Sequence, residues 1–120
     1  MSAYKELIEY LDSDENVEGT VFGAWGWGSI VADKFTPGFG EPNDPLPVPA
    51  DLRGKVLTLK QAKKYMATWS FDNGFGSPEC YATCVWTNKR VIWVTQYDGS
   101  TGLDSMPRNP VNFIPYMPGG

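Results

Sequence analysis

Two strand-like runs separated by two residues constrain this chain more than any other feature. Residues 80–87, CYATCVWT, and 90–97, RVIWVTQY, are rich in Val, Ile, Thr, Trp and Tyr and flank Asn88-Lys89. β-Branched and aromatic side chains suit a pleated surface. A two-residue connection closes an antiparallel hairpin, and Asn suits the positive φ of such a turn. That register sets Thr87 against Arg90, Trp86 against Val91, Val85 against Ile92 and Cys84 against Trp93. One face then carries Cys80, Ala82, Cys84, Trp86, Val91, Trp93, Thr95 and Tyr97. The other carries Tyr81, Thr83, Val85, Ile92, Val94 and Gln96. Both faces are largely apolar. A solvated sheet alternates apolar and polar, so a two-sided apolar hairpin is expected to be covered twice. One cover is the core of the domain; the other is a second subunit or the helices.

The rest of the chain fits around that hairpin as one domain, since 120 residues leave little room for two. Residues 2–11 read as a short helix capped by Ser2, with Tyr4, Leu7, Ile8 and Leu11 on one face. The acidic stretch DSDEN ends it, and Val17 to Trp27 reads as a strand running into the glycine-broken FGAWGWG. Residues 36–50 hold five prolines and no periodic pattern, the mark of a long surface loop with polyproline II character. Gly54 to Leu57 reads as a brief strand. Thr58 and Gln61 have capping-box spacing, opening a second helix with Leu59, Ala62, Tyr65 and Met66 on its inner face. Residues 67–73 look extended, and 72–78 are a turn-rich connection. A third short strand follows near 101–106. The last residues, PRNPVNFIPYMPGG, hold four prolines and no periodicity, so they are ordered by contact rather than by a regular element. The expected fold class is α+β: an antiparallel sheet centred on the hairpin, with two short helices.

The chain is acidic, with net charge −4, and its basic residues read as few and scattered. That argues against a long nucleic acid, whose affinity comes mainly from neutralised phosphates. It leaves room for a small phosphorylated ligand held by one or two Arg and backbone N–H groups. There is no apolar run long enough for a membrane span, and the acidic, amphipathic N-terminus resembles neither a signal nor a transit peptide. A cytosolic setting is expected, with Cys80 and Cys84 reduced.

Histidine is absent, which removes the commonest general base and metal ligand. Cys80-x3-Cys84 has no further Cys or His to complete a zinc site, so buried core thiols are the expectation. The carboxylates Asp12, Asp14 and Glu15 read as solvated surface, and Asp98 as a turn residue before Gly99. Asp104 differs, lying on a short strand near an Arg. FGAWGWG and DNGFG match no phosphate loop and read as turns and close packing. No cofactor or metal is expected. The aromatic share, 14%, is the main asset: most of these rings must be core, and any surplus is available to stack on a base or to line a subunit interface. Arg108 stands in Pro107-Arg108-Asn109-Pro110, where two prolines fix the backbone. A held guanidinium suits bidentate contact with phosphate; equally, it suits a structural pairing with Asp104 or a carbonyl.

The run FDNGFGSPECYATCVWTNKRVIWVTQYDGSTGLDSMPRNPVNFIPYMPGG, residues 71–120, resembles the C-terminal half of phage Thoeris anti-defence proteins of the first type. The shared features are the FDxGxGxPxC lead-in, the hairpin, the QYDG turn, the PRNP element and the closing MPGG; the N-terminal helix and the FGxW segment also fit. The resemblance implies a non-enzymatic sponge in the host cytoplasm. Such a protein binds cyclic ADP-ribose isomers made by TIR-domain enzymes and assembles as dimers or higher oligomers with ligand sites at subunit contacts. It implies an aromatic for the adenine, for which Phe75 and Tyr81 are candidates. Asn88 and Asp104 are candidates for polar contacts, and Arg53 and Arg108 for the phosphates, with Asn109 beside Arg108 in the motif. A related reading extends the ligand to cyclic oligonucleotides. Two rivals remain: a protein-directed inhibitor of a defence enzyme, and a nucleotide hydrolase using Asp98 or Asp104 with a metal.

Overall fold

The computed structural model describes residues 2–25, 29–31, 34–36, 47–69, 80–97 and 100–115. The hairpin forms in the expected register. Strands β4 (Tyr81–Thr87) and β5 (Arg90–Tyr97) pair antiparallel with Cys84 opposite Trp93, Val85 opposite Ile92 and Trp86 opposite Val91. Strand β1 (Val17–Trp25) adds to the free side of β4 and β6 (Ser100–Pro107) to that of β5, giving a four-stranded antiparallel sheet in the order β1-β4-β5-β6. β1 is shifted in register between Val17 and Gly19 and again between Phe22 and Trp25. Bulges of this kind bend a strand and increase its twist. A separate small hairpin joins β2 (Ser29–Val31) to β3 (Lys34–Thr36). The structure thus bears out the α+β expectation.

Both helices form where their caps predict. In α1 (Ala3–Tyr10) the Ser2 hydroxyl accepts from the Lys5 N–H at 3.2 Å. Ala3 and Leu7 are buried against the sheet, whereas Ile8 on the expected inner face is exposed. In α2 (Leu59–Met66) Thr58 Oγ1 accepts from the Gln61 N–H at 3.1 Å, and the Gln61 side chain accepts from the Thr58 N–H at 2.8 Å. Two otherwise unpaired helix donors are satisfied reciprocally. Thr58→Ala is expected to lower stability by about 1 kcal/mol, read as a shift of the urea midpoint at unchanged slope.

One face of the sheet meets both helices. Phe22, Tyr81, Val85 and Ile92 from the sheet pack with Leu7, Ala62, Tyr65, Met66 and Trp69 in one core cluster. The rings meet edge to face: Phe22 lies 5.6 Å from Trp69 and 6.2 Å from Tyr65, and Trp69 lies 5.8 Å from Tyr81, centroid to centroid. That geometry sets the positive edge of one ring on the negative face of another. Cys80 joins this core too, against the expectation that it shares a face with Cys84. Strict alternation fails just before β4, where the chain enters the sheet opposite the shifted end of β1.

Three other expectations need correction. Residues 54–57 contribute only a single bridge, Leu57 to Thr20, with N–H···O contacts of 2.9 and 2.8 Å. Gly54 sits at φ 77°, in the left-handed region, so the backbone is still turning there. A short 3-10 turn at Ala50–Leu52 precedes it. The β2–β3 hairpin was not expected, and β6 is longer than predicted. Residues 37–46 of the proline-rich loop and 70–79 of the turn-rich connection lie outside the described residues.

Candidate functional site

The densest polar cluster gathers where the hairpin turn meets the end of α1. Glu15 is buried at 7% exposure and is held on all sides. Arg90 donates Nε to Glu15 Oε2 and Nη2 to Oε1, both at 2.8 Å, a bidentate pair. Thr87 Oγ1 donates to Oε2 at 2.6 Å, and the Asp12 N–H donates to Oε1 at 3.1 Å. Burial alone would push the Glu15 carboxyl up. The hydrogen bonds from Arg90, Thr87 and the backbone outweigh that and bring it down to about 2. Arg90 also reaches the Tyr10 carbonyl at 2.7 Å and Ser105 Oγ at 3.3 Å, and its guanidinium lies 4.5 Å above the Tyr10 ring. A carboxylate this fully engaged is neither a base nor a nucleophile at neutral pH. It ties three parts of the chain together.

The expected ligand residues fall into two groups. Asn88, Arg108 and Asn109 come together beside this cluster. Asn88 Oδ1 accepts from the Asn16 N–H at 2.8 Å, and the Asn88 N–H donates to the Asn16 carbonyl at 3.1 Å. The Thr87 hydroxyl accepts from the N–H groups of Lys89 and Arg90 at 3.1 and 3.0 Å, closing the turn. Arg108 donates to the Thr87 carbonyl at 2.5 Å and pairs with Glu18, not with Asp104. Its backbone N–H continues the ladder to the Lys89 carbonyl at 3.4 Å. The Arg108 side chain keeps 31% exposure, and Asn109 next to it is exposed.

The second group, Arg53 with Tyr81, sits at the other end of β4. The Arg53 guanidinium lies 5.1 Å from the Tyr81 ring centroid, and Arg53 Nε donates to the Val48 carbonyl at 3.2 Å. The Tyr81 hydroxyl accepts from the Val48 N–H at 3.0 Å. The two groups are separated by the length of β4, roughly 20 Å at the usual rise per residue, so one copy does not bring them to one small ligand. The expectation that Tyr81 offers its ring to a base is corrected: the ring is 0% exposed and wedged among Phe22, Trp69 and Arg53. Asp104 lies opposite Trp93, away from both groups, and its Oδ1 accepts from the Ser105 N–H at 2.8 Å. Phe75 and Asp98 lie outside the described residues.

Comparison with protein-family models, with curated proteins and with solved structures returned no match. The chemistry is therefore read from the site alone. Among the described residues, no three His, Cys, Asp or Glu side chains gather as a metal ion would need. Burial pushes the Cys80 thiol up to about 12 and raises that of Cys84, so both stay protonated at neutral pH. No helix among the described residues is long and apolar enough to cross a membrane.

Two features escaped sequence reading. The Glu15–Arg90 pair spans 75 positions, and only its ends were visible: an acidic run and an Arg after a turn. The basic residues are also less scattered than they read. Arg53, Lys55, Lys60, Lys63 and Lys64 make up five of the ten, in a stretch without an acid. On α2 the lysines take the solvent side, with Lys63 5.0 Å above the Tyr4 ring and Lys64 5.6 Å above that of Tyr65.

Proposed function

We propose that this protein binds a cyclic ADP-ribose isomer and sequesters it without cleaving it, as an intracellular phage sponge against Thoeris-type immunity. The resemblance over residues 71–120 motivates the reading. One observation carries it: Arg108 is pre-placed at the hairpin end, its backbone in the ladder and its guanidinium partly open beside the exposed Asn109. An Arg held this way loses little freedom on meeting a pyrophosphate, and exposed Glu18 is a partner that a doubly charged anion can displace. A sponge needs slow release and no transition-state preference, which suits held donors rather than poised bases. Because Arg53 and Arg108 lie at opposite ends of β4, a site using both is built from two copies, as the expected homo-oligomer allows. Related cyclic oligonucleotides carry the same phosphate chemistry.

Titration calorimetry with a purified cyclic ADP-ribose isomer tests the assignment of Arg108. Arg108→Ala is expected to weaken binding about 10- to 100-fold, the worth of a hydrogen-bonded charge contact, with Arg108→Lys in between. Equal affinity for wild type and Arg108→Ala, both folded by circular dichroism, would reduce Arg108 to a structural pin.

A further inference from the structure

The charges of this chain are unevenly placed. Residues 52–71 carry five cations and no acid, while the rest of the chain carries the other five cations and all 14 acids. The cations at the hairpin end are answered within the fold: Lys89 pairs with Asp14, Arg90 with Glu15 and Arg108 with Glu18. Arg53 turns to the Val48 carbonyl and the Tyr81 hydroxyl. Lys55, Lys60, Lys63 and Lys64 are exposed, and among the described residues none of the four pairs with a carboxylate.

The packing of α2 dictates this face. The helix buries Ala62, Tyr65 and Met66, so Lys60, Lys63 and Lys64 take the solvent side. Lys63 and Lys64 stand three and four positions after Lys60, about 5–6 Å away at Cβ, where like charges cost a helix stability. Two of the heads are held in place. Lys63 Nζ lies 5.0 Å above the Tyr4 ring, and Lys64 Nζ lies 5.6 Å above that of Tyr65. Ammonium groups held over rings lose less freedom on meeting an anion. Just ahead of the helix Val56 is 70% exposed and seated on β1, where a Cβ added at Gly19 would lie 2.8 Å from Val56 Cγ1. The charged face thus has a fixed apolar contact beside Lys55.

We propose that this face is a docking surface for an acidic, extended segment of another protein. In an extended chain alternate side chains fall on one side, about 6.6 Å apart, close to the lysine spacing on α2. Carboxylates at every second position can then each meet an ammonium. The eight-residue helix is about 12 Å long, which matches a few residues of such a segment. Charge selects a short segment over a long polyanion. A nucleic acid duplex or an anionic bilayer would extend past α2 onto a chain that is otherwise acidic, and be repelled there. A single strand needs exposed rings on which to stack, and the rings of Tyr65 and Trp69 are buried.

Fluorescence anisotropy with a short labelled peptide of alternating glutamate and valine tests this on the full chain without nucleotide, so its outcome is separate from that of the nucleotide reading. Wild type is expected to bind with a Kd on the order of 100 μM at low salt, and more weakly as salt rises. Lys60→Glu is expected to weaken binding about 10-fold, because the new carboxylate repels the peptide and pairs with Lys64 from within the helix. Lys60→Arg keeps the charge and should bind as wild type does. Lys89→Glu makes the same change in net charge at the hairpin turn and should cost less than about 2-fold. Circular dichroism checks that all of these variants are folded. No binding by wild type, equal losses in Lys60→Glu and Lys89→Glu, or tighter binding of a single-stranded oligonucleotide or of phosphatidylserine vesicles than of the peptide would overturn the proposal.

Discussion

Replacing Arg90 by alanine is expected to destabilise the protein by about 3–5 kcal/mol, the range for breaking a buried pair and stranding its partner. The Glu15 side chain is wholly shielded from solvent, and Arg90 supplies two of its hydrogen bonds. The same change removes the contacts to the Tyr10 carbonyl and Ser105 Oγ that join the end of α1 to β6. For a domain whose total stability is around 5–15 kcal/mol, much of the population at 37 °C should then unfold. Arg90→Lys is expected to recover only part of the loss, because a lysine cannot repeat the two-pronged contact. Acid offers a second test. The Glu15 carboxyl titrates at about 2 when folded against 4.5 when unfolded. Its contribution is therefore fully present above pH 4.5 and is lost as pH falls from there towards 2. The expected loss is about 3 kcal/mol. Urea midpoints from pH 6 down to pH 2 should fall over this window in wild type and much less in Glu15→Gln, which starts lower.

The other large effect belongs to Phe22→Ala, expected to cost about 3–5 kcal/mol. Phe22 is 0% exposed and makes ring contacts to Tyr65, Trp69 and Tyr81. It is where β1, β4 and α2 meet, so the cavity left behind cannot close without moving all three. Phe22→Leu keeps most of the volume and should recover more than half of the loss. Thermal unfolding of the three proteins decides this. A Phe22→Ala loss below 1 kcal/mol would mean that the aromatic cluster is not the centre of the core.

The elements that were legible in the sequence are those with local causes. The hairpin register follows from a two-residue gap, and α2 begins where Thr58 and Gln61 cap each other. Strands β2 and β3 were missed because three residues are too few for a period to show. Residues 54–57 have strand-like composition, but Gly54 is still in a left-handed turn, its N–H donating to the Phe22 carbonyl of β1 at 2.8 Å, and only Leu57 forms a bridge to β1. Sequence recognised both apolar faces of the hairpin and could not say which one the helices take; Tyr81, Val85 and Ile92 settle that. For the site, the proline-flanked Arg108 was visible as a held cation, whereas its partner Glu18 is 90 positions away. Tyr81 read as a ligand ring because composition alone does not tell a buried aromatic from a presented one.

The most direct test of sequestration is to incubate the purified protein with the product mixture of a Thoeris TIR enzyme, filter it, heat the retained protein and identify what is released. The account predicts an intact cyclic ADP-ribose isomer, depleted from the filtrate and recovered on heating. An unchanged filtrate with nothing released, or recovery of a cleaved product, would contradict it.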